Sequence, residues 1–434
     1  MKRWVLGAIV VGACGTPRAP TPPAWIDELA ETALRDGDAV GLSIVVARGD
    51  QILVARGYGL ADREHHVPAT EHSVYPLASL SKQFWAAGAL QLADQGRLDL
   101  DGAVADVLHA FPDRRVHVRD LLQQTSGLGD DSDDEDDVGF TDAPQLAFVP
   151  GTWWQYSNRG AILVRRVVEE VSGLPWRDYL RERIAKPLGL SSLTTCDDTN
   201  HVPLYEHGVR SGLPARTMAR VAFACADALD VMRWELALDR GGLLRPETVA
   251  RMRAPVRLDV GEIPYGWLTR IGELDGHRGF GHTGNFEGVS VAAFRFPADD
   301  LTIVVLMNAT PRHGFGAPVL VTTIARRLLG LRTPTIDDRP PPPELVDLLV
   351  GDYALGPVRG RLSVRDGRAW LSIGDPDKPM WEGALAWGGD RTFFGGPEGR
   401  SADAPMVFLP PTGPAQAIAI GHRLVLDSLA RRVP

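Results

Sequence analysis

The chain has 434 residues, of which 44% are hydrophobic and 23% are charged. This is the composition of globular proteins with a sizeable core, and the length suggests two or three domains. The net charge of −9 at pH 7 and the lack of a basic stripe argue against nucleic acid as a partner. No apolar run is long enough to span a membrane.

The first residues have the pattern of an export signal. Lys2 and Arg3 form a basic start, residues 4–11 are apolar, and small residues precede Cys14. This pattern resembles a bacterial lipobox, in which the cysteine is lipidated and becomes the mature N-terminus. We therefore expect a signal peptide over 1–14, a Pro-rich tether over 15–24, and a periplasmic or membrane-anchored lipoprotein of the cell envelope. A plain secretory signal cleaved nearby is the alternative.

Residues 25–332 mix helical and strand patterns in the order expected of one α/β domain. Predicted helices cover residues 24–34, about 79–96, 160–171, 176–184, 227–238 and 316–329. Predicted strands cover 41–47 and 51–57, which form a hairpin, and 281–285, 289–296 and 301–307. Because strands occur at both ends of this region, we expect a sandwich with helices flanking one antiparallel sheet that joins those ends.

The last quarter of the chain has a different sequence pattern from the region before it. Prolines cluster over residues 333–343, which we interpret as a linker. Short alternating segments separated by Gly and Asp then predict a small all-β domain over 344–434.

Two cysteines follow the N-terminal region, Cys196 and Cys225. Export would allow a disulfide between them, but buried free thiols are slightly favoured, and the sequence does not decide the pairing.

Ser79 and Lys82 are the first candidates for chemistry. A lysine three residues after a serine on one helix puts the amine beside the hydroxyl. A desolvated, neutral lysine can take the serine proton, which makes a nucleophile without histidine. The chain has 46 Lys plus Arg, yet only four are Lys. Arginine cannot give up its proton, so a lysine at this place in an arginine-rich chain indicates a proton-transfer role.

Two further motifs follow in order, Tyr156-Ser157-Asn158 and His282-Thr283-Gly284. The set of three resembles the serine beta-lactamase and penicillin-binding protein superfamily. It is most similar to the class C-like branch, with DD-carboxypeptidases, esterases and D-aminopeptidases. The segments around Leu90, Thr125-Ser126-Gly127 and Gly151 are also similar to that branch. The resemblance covers about residues 25–330, and the small all-β domain is similar to the lipocalin-like appendage often fused to this branch.

The resemblance implies a role for each motif residue. Ser79 would be the nucleophile, and Lys82 would be the acylation base or would position Tyr156 as the base. Tyr156 would relay a proton to the leaving group. Three groups of residues would bind the substrate: Asn158; His282, Thr283 and Gly284; and Asn285, whose backbone N–H would join that of Ser79 in an oxyanion hole.

His282 departs from the Lys-Thr-Gly motif of true beta-lactamases. A fixed positive charge there helps to hold the substrate carboxylate, whereas a histidine is charged only at low pH unless its surroundings raise its pKa. If an imidazolium at His282 binds the substrate carboxylate, KM for carboxylate-bearing substrates should rise as the pH rises through the histidine pKa, normally about 6.5. Otherwise His282 only hydrogen-bonds or packs. The departure weakens the case for beta-lactamase activity and favours the hydrolase relatives.

The function expected from these motifs is that of an extracytoplasmic serine hydrolase. It would cleave amides or esters, such as D-amino-acid peptides derived from peptidoglycan, through an acyl-enzyme on Ser79. A carboxylesterase or weak beta-lactamase is the enzymatic alternative, and an inactive cell-wall peptide-binding protein is the alternative from another class. No cofactor or metal is expected. An acidic run at residues 130–137 would border the site, and a solvated loop is its favoured interpretation.

Overall fold

The computed structural model describes residues 23–129, 145–196, 201–212, 222–312, 315–332, 340–355, 358–375, 377–388, 392–394, 405–422 and 425–433. The predicted signal peptide with Cys14, most of the tether, the acidic run at 130–137 and most of the linker lie outside these residues.

The helices in the described residues are α1 (Ala24–Arg35), α2 (Lys82–Asp94), α3 (Val104–Val107), α4 (Val118–Gln123), α5 (Asn158–Ser172), α6 (Trp176–Tyr179), α7 (Lys186–Leu188), α8 (Ala228–Arg240), α9 (Pro246–Met252), α10 (Ala317–Leu329) and α11 (Pro343–Leu349). A 3₁₀ turn, Ala78–Ser81, leads directly into α2. None of these helices has the length and hydropathy needed to cross a membrane.

The first fifteen strands are β1 (Gly41–Arg48), β2 (Gln51–Asp62), β3 (Val67–Pro68), β4 (Tyr75–Pro76), β5 (Thr194–Thr195), β6 (Tyr205–Glu206), β7 (Val209–Arg210), β8 (Ala224–Ala226), β9 (Val256–Leu258), β10 (Gly261–Ile263), β11 (Arg270–Leu274), β12 (His277–Phe286), β13 (Val289–Phe296), β14 (Leu301–Met307) and β15 (Ala309–Thr310). Nine more follow the linker: β16 (Gly351–Leu355), β17 (Val358–Arg365), β18 (Arg368–Gly374), β19 (Pro379–Ala384), β20 (Ala386–Trp387), β21 (Thr392–Phe394), β22 (Pro405–Leu409), β23 (Ala417–His422) and β24 (Val425–Val433).

A seven-stranded antiparallel sheet forms the centre of the first domain. Its order is β11-β12-β13-β14-β1-β2-β3, so the early hairpin pairs with the late strands through β1 and β14. Strands with both faces covered are apolar on both sides, and β1 is buried along almost its whole length. Ile44 faces α1 and α10, whereas its neighbour Val45 faces the helical side that holds α2, α5 and α8. The predicted α/β sandwich is therefore confirmed.

A nine-stranded antiparallel sheet forms most of the C-terminal part, in the order β19-β18-β17-β16-β24-β23-β22-β21-β20. The sheet is nearly closed and barrel-like, as the lipocalin-like prediction requires, and α11 precedes it. We call β16–β24 the C-terminal barrel. Its own core is built around Tyr353, Phe393 and Phe408. Ala417 and Leu429 instead pack into the main core of the first domain, so the barrel is anchored on that domain.

Cys196 and Cys225 form a disulfide, with sulfurs 2.15 Å apart. The slight preference for free thiols was therefore wrong. The two cysteines are brought together because Thr195 pairs with Ala224 across the β5–β8 ladder. This small sheet also contains β4, which leads into the Ala78–Ser81 turn. The disulfide thus lies at the small β4-β8-β5 sheet, next to the turn that carries Ser79.

Candidate active site

The turn that carries Ser79 aligns this residue with Lys82. Side chains three residues apart eclipse one another in a 3₁₀ turn, and the Lys82 Nζ lies 2.8 Å from the Ser79 Oγ. Ala78, directly before Ser79, has φ of 45°, a left-handed conformation that non-glycine residues rarely adopt. Such strain clusters at functional sites, where it fixes a reactive side chain. Ser81 points away, and its Oγ accepts a hydrogen bond from the Ala224 N–H.

Lys82 is 1% exposed. Besides Ser79, its ammonium or amine contacts the Asn158 side chain, with 2.8 Å between Nζ and Oδ1. The Tyr156 ring centre is 4.9 Å from the same Nζ. The structure thus brings together four side chains, Ser79, Lys82, Tyr156 and Asn158, from two motifs that are far apart along the chain. Burial removes the water that would otherwise solvate the lysine, so its interactions are with protein groups.

The loop before α5 positions Tyr156 and Asn158. Ser157 caps α5, because its side chain accepts a hydrogen bond from the Gly160 N–H at 2.9 Å. Gln124 has a left-handed conformation with φ of 62°, and its carbonyl accepts a hydrogen bond from the Gln155 N–H. The Gln124 side chain also accepts from the Ser157 N–H. The segment that contains Thr125-Ser126-Gly127 therefore supports this loop from behind.

Tyr156 is half-buried, and its hydroxyl oxygen is inaccessible to solvent. That oxygen has no hydrogen-bond partner within the residues that the structure describes. A buried hydroxyl without a partner loses the hydrogen bonds it makes in water. A substrate atom placed next to Tyr156 would restore one of them.

Strand β12 forms the wall opposite α2. A Cβ on Gly284 would lie 2.4 Å from the Leu77 carbonyl oxygen and 2.9 Å from the Ala78 Cβ. Only glycine allows the strand to lie this close to the Ser79 turn. Thr283 is buried beside it, and Asn285 is exposed and pairs in register with Ser290. Gly284 of the third motif therefore borders the turn that carries Ser79.

His282 does not have the environment of an imidazolium. The ring is 0% exposed, and burial lowers its pKa well below 6.5, an effect that Arg270 and Lys82 increase by charge repulsion. Its Nδ1 lies 2.6 Å from the Thr283 carbonyl oxygen, and its Nε2 lies 3.2 Å from the Tyr265 hydroxyl. Of the two roles considered for His282, its burial and its two ring contacts favour hydrogen bonding and packing over the binding of a carboxylate by an imidazolium.

Two further residues of the site were not predicted. The Arg270 guanidinium carbon lies 5.4 Å from the centre of the Tyr156 ring, and Arg270 is largely buried. The Tyr265 ring lies 6.2 Å from that of Tyr156, and burial raises the pKa of Tyr265 well above 10. Arg270 begins β11, which the sequence interpretation missed. The Asp275-Gly276 pair between β11 and β12 is a strong hairpin signal that could have located it.

The arrangement combines a hydroxyl, a buried amine, an amide, a phenol and a guanidinium within one side of the sheet. These are the groups needed to activate a serine, to move a proton and to bind a negatively charged substrate group. Among the described residues, no cluster of His, Cys, Asp and Glu side chains has the geometry to hold a metal ion.

Comparison with known proteins gives a consistent result. The profile of the Beta-lactamase family matches residues 26–321. A penicillin-binding protein of Bacillus subtilis (strain 168) is 27% identical over 305 residues, which cover 61% of this chain and 67% of the relative. The D-aminopeptidase of Brucella canis is 28% identical over 320 residues, which cover 67% of this chain and 59% of that enzyme. The chain thus spans only part of these relatives' length.

Solved structures share the fold. The crystal structure of SurE superposes with a TM-score of 0.65 at 21% identity and covers 94% of this chain and 99% of that chain. The octameric penicillin-binding protein homologue of Pyrococcus abyssi gives a TM-score of 0.63 at 17% identity, with the same coverage. The D-amino acid amidase of Ochrobactrum anthropi SV3 gives 0.59 at 20% identity and covers 70% of this chain and 97% of that one.

The family profile covers more than half of the chain, the seven-stranded sheet and its helices have the same fold as these structures, and the motifs meet at one turn. The chain therefore belongs to the Beta-lactamase family and is a beta-lactamase-related serine hydrolase.

Proposed function

We propose that the chain hydrolyses amides or esters of D-amino acids through an acyl-enzyme on Ser79. The observation that carries this proposal is the double contact of the buried Lys82 Nζ, 2.8 Å from both the Ser79 Oγ and the Asn158 Oδ1. A serine in this setting needs no histidine, because the neighbouring amine can accept its proton when neutral. The D-aminopeptidases among the relatives support the D-amino-acid class.

In the proposed reaction the Ser79 Oγ attacks the carbonyl carbon and gives its proton to Lys82 or to Tyr156. The backbone N–H groups of Ser79 and Asn285 would stabilise the oxyanion of the tetrahedral intermediate. Collapse of the intermediate breaks the bond to the amine or alcohol, which takes the proton by way of Tyr156. Water then attacks the ester carbon and gives a proton to the same group. That group passes the proton to the Ser79 Oγ as the ester bond breaks, which releases the acid and restores the Ser79 hydroxyl.

Arg270 supports a substrate with a carboxylate in its leaving group. The Arg270 guanidinium carbon lies 5.4 Å from the centre of the Tyr156 ring, and Tyr156 is the group that would give the leaving group its proton. Arginine binds carboxylates through two parallel hydrogen bonds and keeps its charge at every physiological pH. A neutral His282 cannot supply that charge. The proposed specificity is therefore nearer to that of a DD-carboxypeptidase than to that of an enzyme that recognises a free amino terminus.

We also propose that the protein works in the cell envelope as a lipoprotein anchored through Cys14. The basic and apolar start of the chain supports export. The Cys196–Cys225 disulfide supports it independently, because disulfides form and persist mainly in oxidising compartments.

The test of the function is covalent labelling followed by a substrate panel. A fluorophosphonate and a fluorescent penicillin should label the wild-type protein, and Ser79→Ala should abolish the labelling. The matched control is Ser81→Ala, two residues along the same turn, which should still be labelled. Ser79→Ala should also lower kcat at least about a thousandfold on D-Ala-D-Ala peptides, D-aminoacyl anilides or p-nitrophenyl esters, whichever are cleaved. Unchanged turnover by Ser79→Ala would refute the mechanism, and no labelling with no turnover would favour a peptide-binding protein.

A further inference from the structure

A cavity of about 400 Å³ lies where the C-terminal barrel meets the first domain. Trp153 and Tyr156 line it from the first domain, and Leu355, Arg359 and Arg431 line it from the barrel. We call this space the seam cavity. Its size is within the range of small-molecule binding sites.

Tyr156 connects the seam cavity to the proposed catalytic groups. Tyr156 lines the cavity, and the centre of its ring is also 4.9 Å from the Lys82 Nζ. In the proposed mechanism Tyr156 passes the proton to the leaving group. The part of the substrate that extends past Tyr156 is therefore the leaving group, which would enter the cavity.

The barrel wall of the cavity is held in place by packing. Leu429 is 2% exposed, and it belongs to the same hydrophobic core as Trp153 and Trp154. Arg431 is two residues further along β24, and its backbone pairs with Ala354 on one side and with Ala417 on the other. The position of Arg431 thus follows from both the barrel ladder and the contact between domains.

The lining has a positive and an aromatic character. The Arg431 guanidinium carbon lies 5.2 Å above the Trp153 ring centre, and Arg359 adds a second guanidinium. The side chains that line the cavity include no carboxylate within the described part of the chain. Arg431 is exposed and forms no salt bridge with a described residue. A guanidinium stacked on an indole keeps its outer N–H groups available for a planar anion.

We propose that the seam cavity is a specificity site for the side chain of the leaving group and selects an anionic one, a carboxylate on a short apolar stem. This inference rests on the proposed function, because the leaving group defines which part of the substrate reaches the cavity. The α-carboxylate of that residue would contact Arg270, whereas its side-chain carboxylate would contact Arg431. The barrel would then supply substrate selection to a reaction that the first domain carries out.

The experiment compares two acyl-D-alanyl dipeptides that end in D-Glu and D-Gln, which differ only in side-chain charge. Wild-type kcat/KM should be about tenfold higher for the D-Glu peptide, the value of one charge-assisted hydrogen bond. Arg431→Ala should reduce this ratio to about one, and Arg431→Lys should keep part of it. The matched control is Arg365→Ala, an arginine 4.7 Å from the Trp370 ring centre on the same barrel but outside the cavity. That change should leave the ratio as it is in the wild type.

A second pair of substrates separates this inference from the proposed function. Acetate esters of 4-hydroxybenzoate and 4-hydroxybenzamide carry the same difference in charge without a peptide bond. Because the two phenols differ in reactivity, their ratio is compared between the wild type and Arg431→Ala. A ratio that falls on mutation supports the site even if no peptide is cleaved. If Arg431→Ala changes neither ratio while Ser79 remains labelled, the seam site is refuted and the hydrolase mechanism stands.

Discussion

Glu235 lies near the centre of α8 and is 0% exposed. Its neighbour Trp234 packs against Phe84 of α2, the helix that begins at Lys82. Burial raises the pKa of Glu235 to about 8 from 4.5. Arg253, the Gln83 amide and Arg295 oppose that shift, and Asp239 adds to it. Gln83 and the carboxyl do not form a well-formed hydrogen bond. The folded protein therefore holds Glu235 protonated at neutral pH. We predict that Glu235→Gln removes a pH dependence from the stability of the fold.

The sign and size follow from linkage. The pKa in the folded state is higher than that in the unfolded state, so the contribution to stability is complete below about pH 4.5 and declines as pH rises to about 8. Each pH unit costs about 1.4 kcal/mol, so the full decline is about 5 kcal/mol. Glutamine has nearly the shape of the protonated acid and does not ionise. The variant should match the wild type at about pH 5 and exceed it by several kcal/mol at about pH 8.

The assay is urea unfolding followed by tryptophan fluorescence at several pH values for the wild type and Glu235→Gln. Glu247→Gln serves as the control, because Glu247 lies on the neighbouring α9 with its side chain 66% exposed. The control should follow the wild type at every pH. A difference in unfolding free energy between Glu235→Gln and the wild type that stays constant from about pH 5 to pH 8 would refute the reasoning.

Three shorter predictions concern the substrate, the disulfide and the anchor. Arg270→Ala should raise KM for carboxylate-bearing substrates by about tenfold to a hundredfold in steady-state assays, with little effect on neutral esters. In the wild type the KM for carboxylate-bearing substrates should not rise around pH 6.5, because arginine stays charged. Such a rise would show that a histidine binds the carboxylate instead. Replacing both Cys196 and Cys225 by alanine, 29 residues apart, should cost about 3 to 4 kcal/mol in urea unfolding, and an unchanged midpoint would contradict this. Cys14→Ala should move the protein out of the membrane fraction or block its maturation, whereas an unlipidated wild type free in the periplasm would exclude the anchor.

The sequence alone was sufficient for the architecture and for the group around Ser79. The apolar runs at 41–47, 289–296 and 301–307 predicted buried strands, and the structure has strands at each of them. The spacing of Ser79 and Lys82 predicted their contact, because a helical turn joins residues three apart whatever surrounds it. Family resemblance then added Tyr156 and Asn158, which lie at Lys82 as expected.

Burial and distant contacts could not be obtained from the local sequence. The sequence left the charge of His282 open, because its pKa depends on desolvation, and in the folded chain burial lowers that pKa well below 6.5. The pairing of Cys196 with Cys225 depends on a strand ladder that no local pattern revealed. Arg270 joins the site because β11 is the antiparallel neighbour of β12.

The contact of Arg431 with Trp153 joins residues that are especially far apart along the chain. It lies 278 positions from Trp153 along the chain, and only the packing of the barrel against the first domain brings the two side chains within 5.2 Å. Local spacing determines which side chains share a turn or a strand face, and so the sequence alone predicted the contact between Ser79 and Lys82. Desolvation and contacts between domains depend on the whole folded chain, and so only the tertiary structure decided the charge of His282 and the lining of the seam cavity.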